Sequence, residues 1–242
     1  MNFTFKLDKD TKLTVVKTIC YRLFSSLATF LLAFLFTGNI LVALSLGAID
    51  ILIKLLSFYF FERIWNKLTK FEPKPAVIWL TGLSGSGKTT IAQQLKNDLN
   101  YKSVYPVILD GDDIRRVFKQ QGFDEETRKK HNLNVGFIAS LFEKQGNIVI
   151  VSLISPYADI RYEVRELCSN FIEVYLSTDI NTCIARDPKG LYKKAITGEI
   201  KNFTGISAPY EPPLNPELKL DTSTVQVRQC SKMIIDRLRL NK

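Results

Sequence analysis

The chain has 242 residues, 46% of them apolar, and its 33 Lys/Arg outnumber its 24 Asp/Glu for a formal net charge of +9. That length holds one α/β domain and an appendage, and the composition excludes a disordered or collagenous chain. Four scattered cysteines (Cys20, Cys168, Cys183, Cys230) with no C-x-x-C pair exclude a disulfide frame or a zinc site and read as reduced cytosolic thiols.

Residues 1–70 carry nine Lys/Arg against four Asp/Glu, an excess of five that leaves an excess of four for the remainder. So modest and divided an excess makes no case for nucleic acid, and no interleaved basic and aromatic motif adds one. Polyphosphate binding and nearness to anionic lipid explain it more simply.

From Leu23 to Ile49 the chain runs 27 residues without a charge. Thr37-Gly38-Asn39 is a turn signal inside that run. It leaves two apolar segments, Thr18–Phe36 and Ile40–Phe61, each near the roughly 20 residues that cross the hydrocarbon. The turn carries no charge; Lys6, Lys9, Lys12, Lys17 and Arg22 precede the pair, and Arg63, Lys67 and Lys70 follow it. The bias of basic residues predicts a transmembrane α-helical hairpin in the inner (cytoplasmic) membrane, with both termini and the following domain in the cytoplasm. Tyr21, Tyr59 and Trp65 suit the interfaces. A secretory signal leaves the second segment unexplained, and apolar residues all round both segments argue against a soluble docked hairpin.

Asp50 and Lys54 interrupt the second segment four residues apart, on one helix face. They read first as a mutually neutralising pair facing the other helix or a sister subunit, and second as a functional intramembrane site. The strings Lys17-Thr18-Ile19-Cys20-Tyr21-Arg22, Thr37-Gly38 and Phe60-Phe61-Glu62-Arg63-Ile64-Trp65-Asn66 resemble a small family of two-helix predicted membrane domains. Phe71-Glu72-Pro73-Lys74-Pro75 stops the helix and favours an extended linker. The expected division is a hairpin at 1–70, a linker at 71–75 and a domain at 76–242.

That domain opens on the apolar run Ala76–Thr81, read as a buried strand. Gly82-Leu83-Ser84-Gly85-Ser86-Gly87-Lys88-Thr89 follows, a complete G-x-x-x-x-G-K-[ST] phosphate loop, and a helical pattern follows that from Thr90. Strand, glycine loop and helix form the setting in which backbone N–H groups and a helix N-terminus cradle a polyphosphate. Lys88 then reaches the β- and γ-phosphates of ATP, and the Thr89 hydroxyl ligates Mg²⁺.

Further strands are expected at Val107–Leu109, Asn147–Ser152, Ile172–Leu176 and Leu218–Leu220. Helices are expected at Asp112–Lys119, Glu125–Gln145, Arg161–Cys168, Ile180–Ala185 and from about Val225. The alternation predicts an α/β fold, a P-loop kinase-like parallel sheet with helices on both faces. Ligands then belong at the carboxyl ends of the strands. Leu109-Asp110-Gly111-Asp112-Asp113-Ile114-Arg115 lies at one such end. Asp110 and Asp112 suit organising Mg²⁺ and accepting the nucleophile's proton, and Arg115 suits an acceptor's phosphate. Ile154-Ser155-Pro156 leaves the central strand into the same crevice. The basic stretch Arg186–Lys194 and Asn202–Ile206 read as a mobile lid over phosphates.

Together, Gly82–Thr90, Leu109–Arg115, Gly122-Phe123 with Arg128, Ser152–Tyr157 and the long run Ala185–Asp221 resemble the adenylylsulfate kinase (APS kinase) family. The resemblance covers residues 76–242. It implies transfer of the γ-phosphoryl of ATP to the 3′-hydroxyl of adenosine 5′-phosphosulfate, giving PAPS and ADP, in a chain that forms a homodimer. By position it implies that Lys88, Asp110, Asp112 and Ser155 are catalytic, and that Gly82–Thr89 and Arg186 hold ATP. Thr89 and Asp110 serve the metal. Arg115, Phe123, Arg128, His131, Ile154, Ser155, Lys189 and Phe203 line the acceptor site, with Phe123 and Phe203 on either face of its adenine. Ser155 matches a serine sometimes described as a phosphorylated intermediate; direct in-line transfer is physically simpler.

The chain departs from the family pattern in that acceptor site. His131, the only histidine, stands where the family usually has Asn, Asn134 stands at an arginine position, Asp113 replaces a frequent Asn, and the stretch from Arg115 to Gly122 is one residue short. These changes leave open a related activated nucleotide, such as a nucleoside diphosphoramidate, as acceptor. A nucleotide-binding membrane module without catalysis is the third reading, against which Lys88, Thr89, Asp110 and Asp112 all speak.

Overall fold

The computed structural model describes residues 9–69, 71–118 and 122–240. Lys6 and Lys70 lie outside the described residues, as do the side chains of Lys9, Lys12, Lys17, Trp65 and Lys67. The chain divides into two compact units, Met1–Lys70 and Phe71–Lys242.

In the first unit, α1 (Lys9–Thr37) and α2 (Ile40–Thr69) are joined by Gly38-Asn39. Asn39 starts α2 by accepting from the Leu41 N–H at 2.9 Å. Cys20–Thr37 and Ile40–Phe61 are long and apolar enough to cross a membrane, by length and composition. Their large apolar side chains, from Leu23 and Phe24 to Phe60 and Phe61, are mostly exposed, as on helices that bury no stripe against a soluble core. The charged pair is the exception. Lys54 Nζ lies 2.6 Å from Asp50 Oδ2 and donates at 2.7 Å to Ser25 Oγ on α1. The pair therefore faces the other helix of its own hairpin, one of the two placements the sequence left open.

The second unit is a five-stranded parallel sheet in the order β2-β3-β1-β4-β5, with β1 Ala76–Thr81, β2 Val107–Asp110, β3 Ile148–Ser152, β4 Phe171–Leu176 and β5 Leu218–Leu220. Every residue of β1 is buried, as a strand needs to be when helices cover both faces. Period-two alternation splits it. Ala76, Ile78 and Leu80 pack with Ile91, Leu95 and Leu99 of α3 (Lys88–Tyr101) and with Ile234 and Leu238 of α9 (Val227–Leu240). Val77 and Trp79 pack with Val135 and Ala139 of α5 (Glu125–Lys144) and Val164 of α6 (Ala158–Leu167) on the other face. Parallel register aligns the carboxyl ends of three strands, with Ser152 opposite both Leu80 and Asp110.

Several elements differ in extent from the sequence reading, and one helix was not expected. Helix α6 begins at Ala158, before the expected Arg161, because the Glu211 carboxylate accepts from the Ala158 N–H at 2.7 Å, a cap supplied from far along the chain. Helix α9 begins at Val227, after the expected Val225, whose N–H instead closes a turn on the Asp221 carbonyl at 2.9 Å. The basic stretch after α7 (Ile180–Arg186), read as a loop, contains α8 (Leu191–Ile196). Asp187 starts α8 by accepting from the Tyr192 and Lys193 N–H groups, both at 3.1 Å.

Candidate active site

The phosphate loop leaves β1 at Gly82, where the backbone passes so close to β4 that a Cβ would lie 2.7 Å from the Leu176 carbonyl oxygen. No side chain fits there. Gly87 caps α3 in the left-handed region, at φ +94°. Side chains hold the loop's carbonyls from behind. Tyr192 OH donates to Ser84 O at 3.0 Å, Arg186 to Gly85 O at 3.3 Å and Thr222 Oγ1 to Ser86 O at 2.9 Å. In a planar peptide the N–H points opposite to the carbonyl, so these three bonds turn the next residues' N–H groups the other way. A ring of such donors is an anion cradle.

Lys88 is half-buried, and its ammonium donates to Gly82 O at 2.9 Å and Leu83 O at 2.7 Å. Burial pushes it down to about 8, with Asp112 and Asp110 among the groups holding it up. Thr89 Oγ1 lies 3.5 Å from Asp110 Oδ2. Asp110 ends β2 and caps α4 (Gly111–Val117), its Oδ1 accepting from the Asp112 N–H at 2.9 Å. Asp112 in turn pairs with Lys189, which precedes α8. The structure thus brings Lys88, Thr89, Asp110, Asp112 and Lys189 together.

A second cluster adjoins the first. Arg115 donates to the Gly122 carbonyl at 2.9 Å and lies 4.8 Å from the centre of the Phe123 ring. Arg128 is buried and donates Nε to Phe123 O at 2.7 Å, Nη1 to Thr204 Oγ1 and Nη2 to Asn202 O. It therefore clasps the Phe123 loop to the turn that carries Phe203. Phe123 is 56% exposed, whereas Phe203 is 8% exposed and meets Tyr192 edge-on at 5.0 Å. One ring is open to solvent; the other is packed in place.

His131 is buried on α5, beside Arg128 on the same helix face. Burial, then the Arg115 charge, lower it to about 4, against a hydrogen bond with the Gly111 backbone that raises it. It is neutral at pH 7. Asn134, one turn on, is half-buried.

Ser155 is buried in the turn after β3, at φ +46°, and its Oγ has neither solvent exposure nor a hydrogen-bond partner. The preceding Ile154 carbonyl accepts from Thr81 Oγ1 at 2.7 Å and from the Gly82 N–H at 3.4 Å, joining this turn to the root of the phosphate loop.

Thr222 was not singled out from the sequence. Its hydroxyl accepts from Arg186 at 2.8 Å, and its N–H donates to Thr178 Oγ1 at 3.3 Å across the β4 and β5 ends. Arg186 is thereby engaged with Thr222 and the back of the phosphate loop. The polar run Asp221-Thr222-Ser223-Thr224 directly after β5 was the available signal, since ligands gather where parallel strands end. A groove of about 630 Å³ beside the site, between Leu83 and residues 205–212, contains none of Lys88, Asp110, Asp112 or Arg115.

Residues 74–221 match the family described as Adenylylsulphate kinase, and residues 15–66 match one described as Predicted membrane protein (DUF2061). A relative from Rippkaea orientalis named adenylyl-sulfate kinase is 53% identical over 146 residues, covering 60% of this chain and 81% of its own. One of the same name from Pseudomonas entomophila is 47% identical over 168 residues, covering 68% and 81%. Among solved structures, the Mycobacterium tuberculosis APS kinase CysC in complex with AMPPNP and APS superposes with a TM-score of 0.66 at 37% identity, covering 69% of this chain and 99% of that one.

Proposed function

The chain belongs to the adenylylsulphate kinase family, and from that premise we propose that it transfers the γ-phosphoryl group of ATP to the 3′-hydroxyl of adenosine 5′-phosphosulfate. The observation that carries this reading is the meeting of Lys88, Thr89 and Asp110 at the carboxyl ends of β1 and β2, with the Arg115–Phe123 cluster alongside. In the transfer, a bond forms between the acceptor's 3′-oxygen and the γ-phosphorus. The bond from that phosphorus to the β,γ-bridging oxygen breaks, its electrons leave with ADP, and the hydroxyl proton passes to Asp112.

Lys88 and the loop N–H groups hold the ATP phosphates. A hydroxyl and a carboxylate 3.5 Å apart, Thr89 and Asp110, are hard oxygen donors that fit Mg²⁺ completing its shell with phosphate and water. Bound there, the ion offsets the phosphates' charge. Lys189 leaves Asp112 for phosphate as the lid segment closes. Phe123 closes on the acceptor's adenine against the fixed Phe203, and Arg115 takes its phosphosulfate. Arg128 acts on that group by holding the two walls together. The buried Oγ of Ser155 supports direct in-line transfer, because a phosphoserine there would first need the turn to open.

A second acceptor is kept by one observation: the neutral, buried His131 stands in place of an amide beside Arg115. ADP release in the presence of APS and of the corresponding phosphoramidate separates the two. Faster turnover on APS supports the first reading, and turnover on the phosphoramidate alone replaces it.

We further read residues 1–70 as a hairpin that tethers the kinase, through the linker 71–75, to the inner membrane with both termini in the cytoplasm. The uncharged turn and the basic flanks support this orientation. The working form is read as a homodimer, and light scattering of the purified chain tests that.

A further inference from the structure

Arg161 touches no residue of the phosphate cradle, yet it is 3% exposed and its three nitrogens all act. Nε donates to Glu173 Oε1 at 2.8 Å, Nη1 to the Ser155 carbonyl at 2.7 Å and Nη2 to the Glu211 carbonyl at 2.7 Å. Glu173 stands on β4 and is itself buried, so the guanidinium charge is neutralised from within the sheet. The other two bonds go to backbone. The Glu211 N–H returns to the Pro156 carbonyl at 2.8 Å, and the Glu211 carboxylate accepts from the Ala158 N–H at 2.7 Å. Arg161 and Glu211 thereby enclose the whole turn from Ser155 to Ala158.

That turn needs holding. A serine at φ +46° sits where residues with a side chain rarely rest, and its hydroxyl is buried without a partner. Both features oppose the turn's own conformation. Thr81 and Gly82 fasten the adjacent Ile154 carbonyl to the root of the phosphate loop. Any slackening at Ser155 therefore changes the spacing between the ATP cradle and the turn on the acceptor side.

We propose that Arg161 is a positioning residue for phosphoryl transfer: through the Ser155 carbonyl it sets the distance between phosphoryl donor and acceptor without touching either. The inference rests on the reading that the acceptor lies over the Ile154–Ser155 turn. A displacement of about 1 Å at a reacting centre costs on the order of 10²-fold in rate. The expected signature is a loss of kcat with nucleotide binding intact.

The test uses the full chain in detergent. Arg161→Gln leaves the buried Glu173 with Arg165, at 3.3 Å, as its remaining cation and is the variant at risk of misfolding. The double variant Arg161→Met, Glu173→Met removes both charges at similar volume and keeps the fold within reach. Melting temperature, the Kd of ATP, and kcat and KM for APS are measured for wild type, the double variant and Arg161→Lys. The proposal predicts that the double variant melts near wild type, binds ATP within about two-fold and loses about 10²-fold in kcat. Arg161→Lys, which still offers a donor to Ser155, recovers part of that loss. A folded double variant with wild-type kcat overturns the proposal. So does a loss of kcat that merely tracks a loss of ATP binding and folded fraction. Absence of APS-dependent turnover in the wild type overturns the functional reading and this inference with it; a wild type that turns over beside an unimpaired variant overturns the inference alone.

Discussion

Lys88 and His131 carry opposite demands at the residue scale. Lys88 must keep a charge while half-buried, and the carbonyls of Gly82 and Leu83 hold its ammonium where phosphate oxygens will replace them. Lys88→Ala should lower kcat/KM for ATP by at least about 10²-fold, since a preorganised cation at a developing charge is worth that much. Near-normal turnover contradicts the phosphate-loop assignment. His131 must stay neutral. Its native pKa of about 4 lies below its ordinary 6.5, so between those values the unfolded chain binds a proton that the native state refuses. Stability therefore falls as pH drops from about 6.5 towards 4, by on the order of 3 kcal/mol, and levels off below. Urea midpoints at pH 7 and 4.5 should differ less in His131→Asn than in the wild type; equal differences contradict the buried neutral imidazole. Both residues were legible in the sequence, Lys88 from its motif and His131 as a departure from a resemblance. Arg161 was not, because its partners Ser155, Glu173 and Glu211 lie 6, 12 and 50 residues away.

At the scale of elements, legibility followed how locally each one is stabilised. Strand β1 is a buried apolar run bounded by Pro75 and Gly82, and α5 carries its own cap, Asp124, which accepts from the Thr127 N–H at 2.9 Å. Helix α8 lacks the apolar run, and its N-cap residue, Gly190, has no side chain to cap with. Its sequence, Leu-Tyr-Lys-Lys-Ala-Ile, is short and basic, and its order comes from Asp187 and from Tyr192, a buried ring whose hydroxyl reaches Ser84 across the fold. Part of the expected lid is thus a helix, and the stretch is tied to the phosphate loop through both Arg186 and Tyr192. Asp187→Ala should cost that helix about 1 kcal/mol by loss of its cap. Trypsin should then cut faster at Lys193 and Lys194, and KM for ATP should rise several-fold with a smaller change in kcat. Unchanged cleavage and KM would show that Asp187 does not order the lid.

At the scale of the whole molecule, the sequence pattern predicted a parallel sheet with helices on both faces, and the structure has it, because short apolar strand runs alternate with longer helical segments along residues 76–240. The hairpin was legible for a different reason: its apolar residues form no stripe, so no soluble core explains them. Asn39→Cys in the uncharged turn should react with a membrane-impermeant maleimide added outside intact cells, above the wild-type background. Labelling only after the membrane is opened reverses the orientation. Deleting residues 1–70 should leave a soluble and active kinase; a folded but inactive product gives the hairpin a part beyond tethering. The central claim is phosphoryl transfer to APS, and the most direct measurement follows the γ-phosphoryl group itself. The purified chain is given ATP labelled at that position, Mg²⁺ and APS, and the nucleotides are separated. Label on the 3′-position of APS, with an equal amount of ADP, is the predicted result. ATP binding without any label reaching APS contradicts the account.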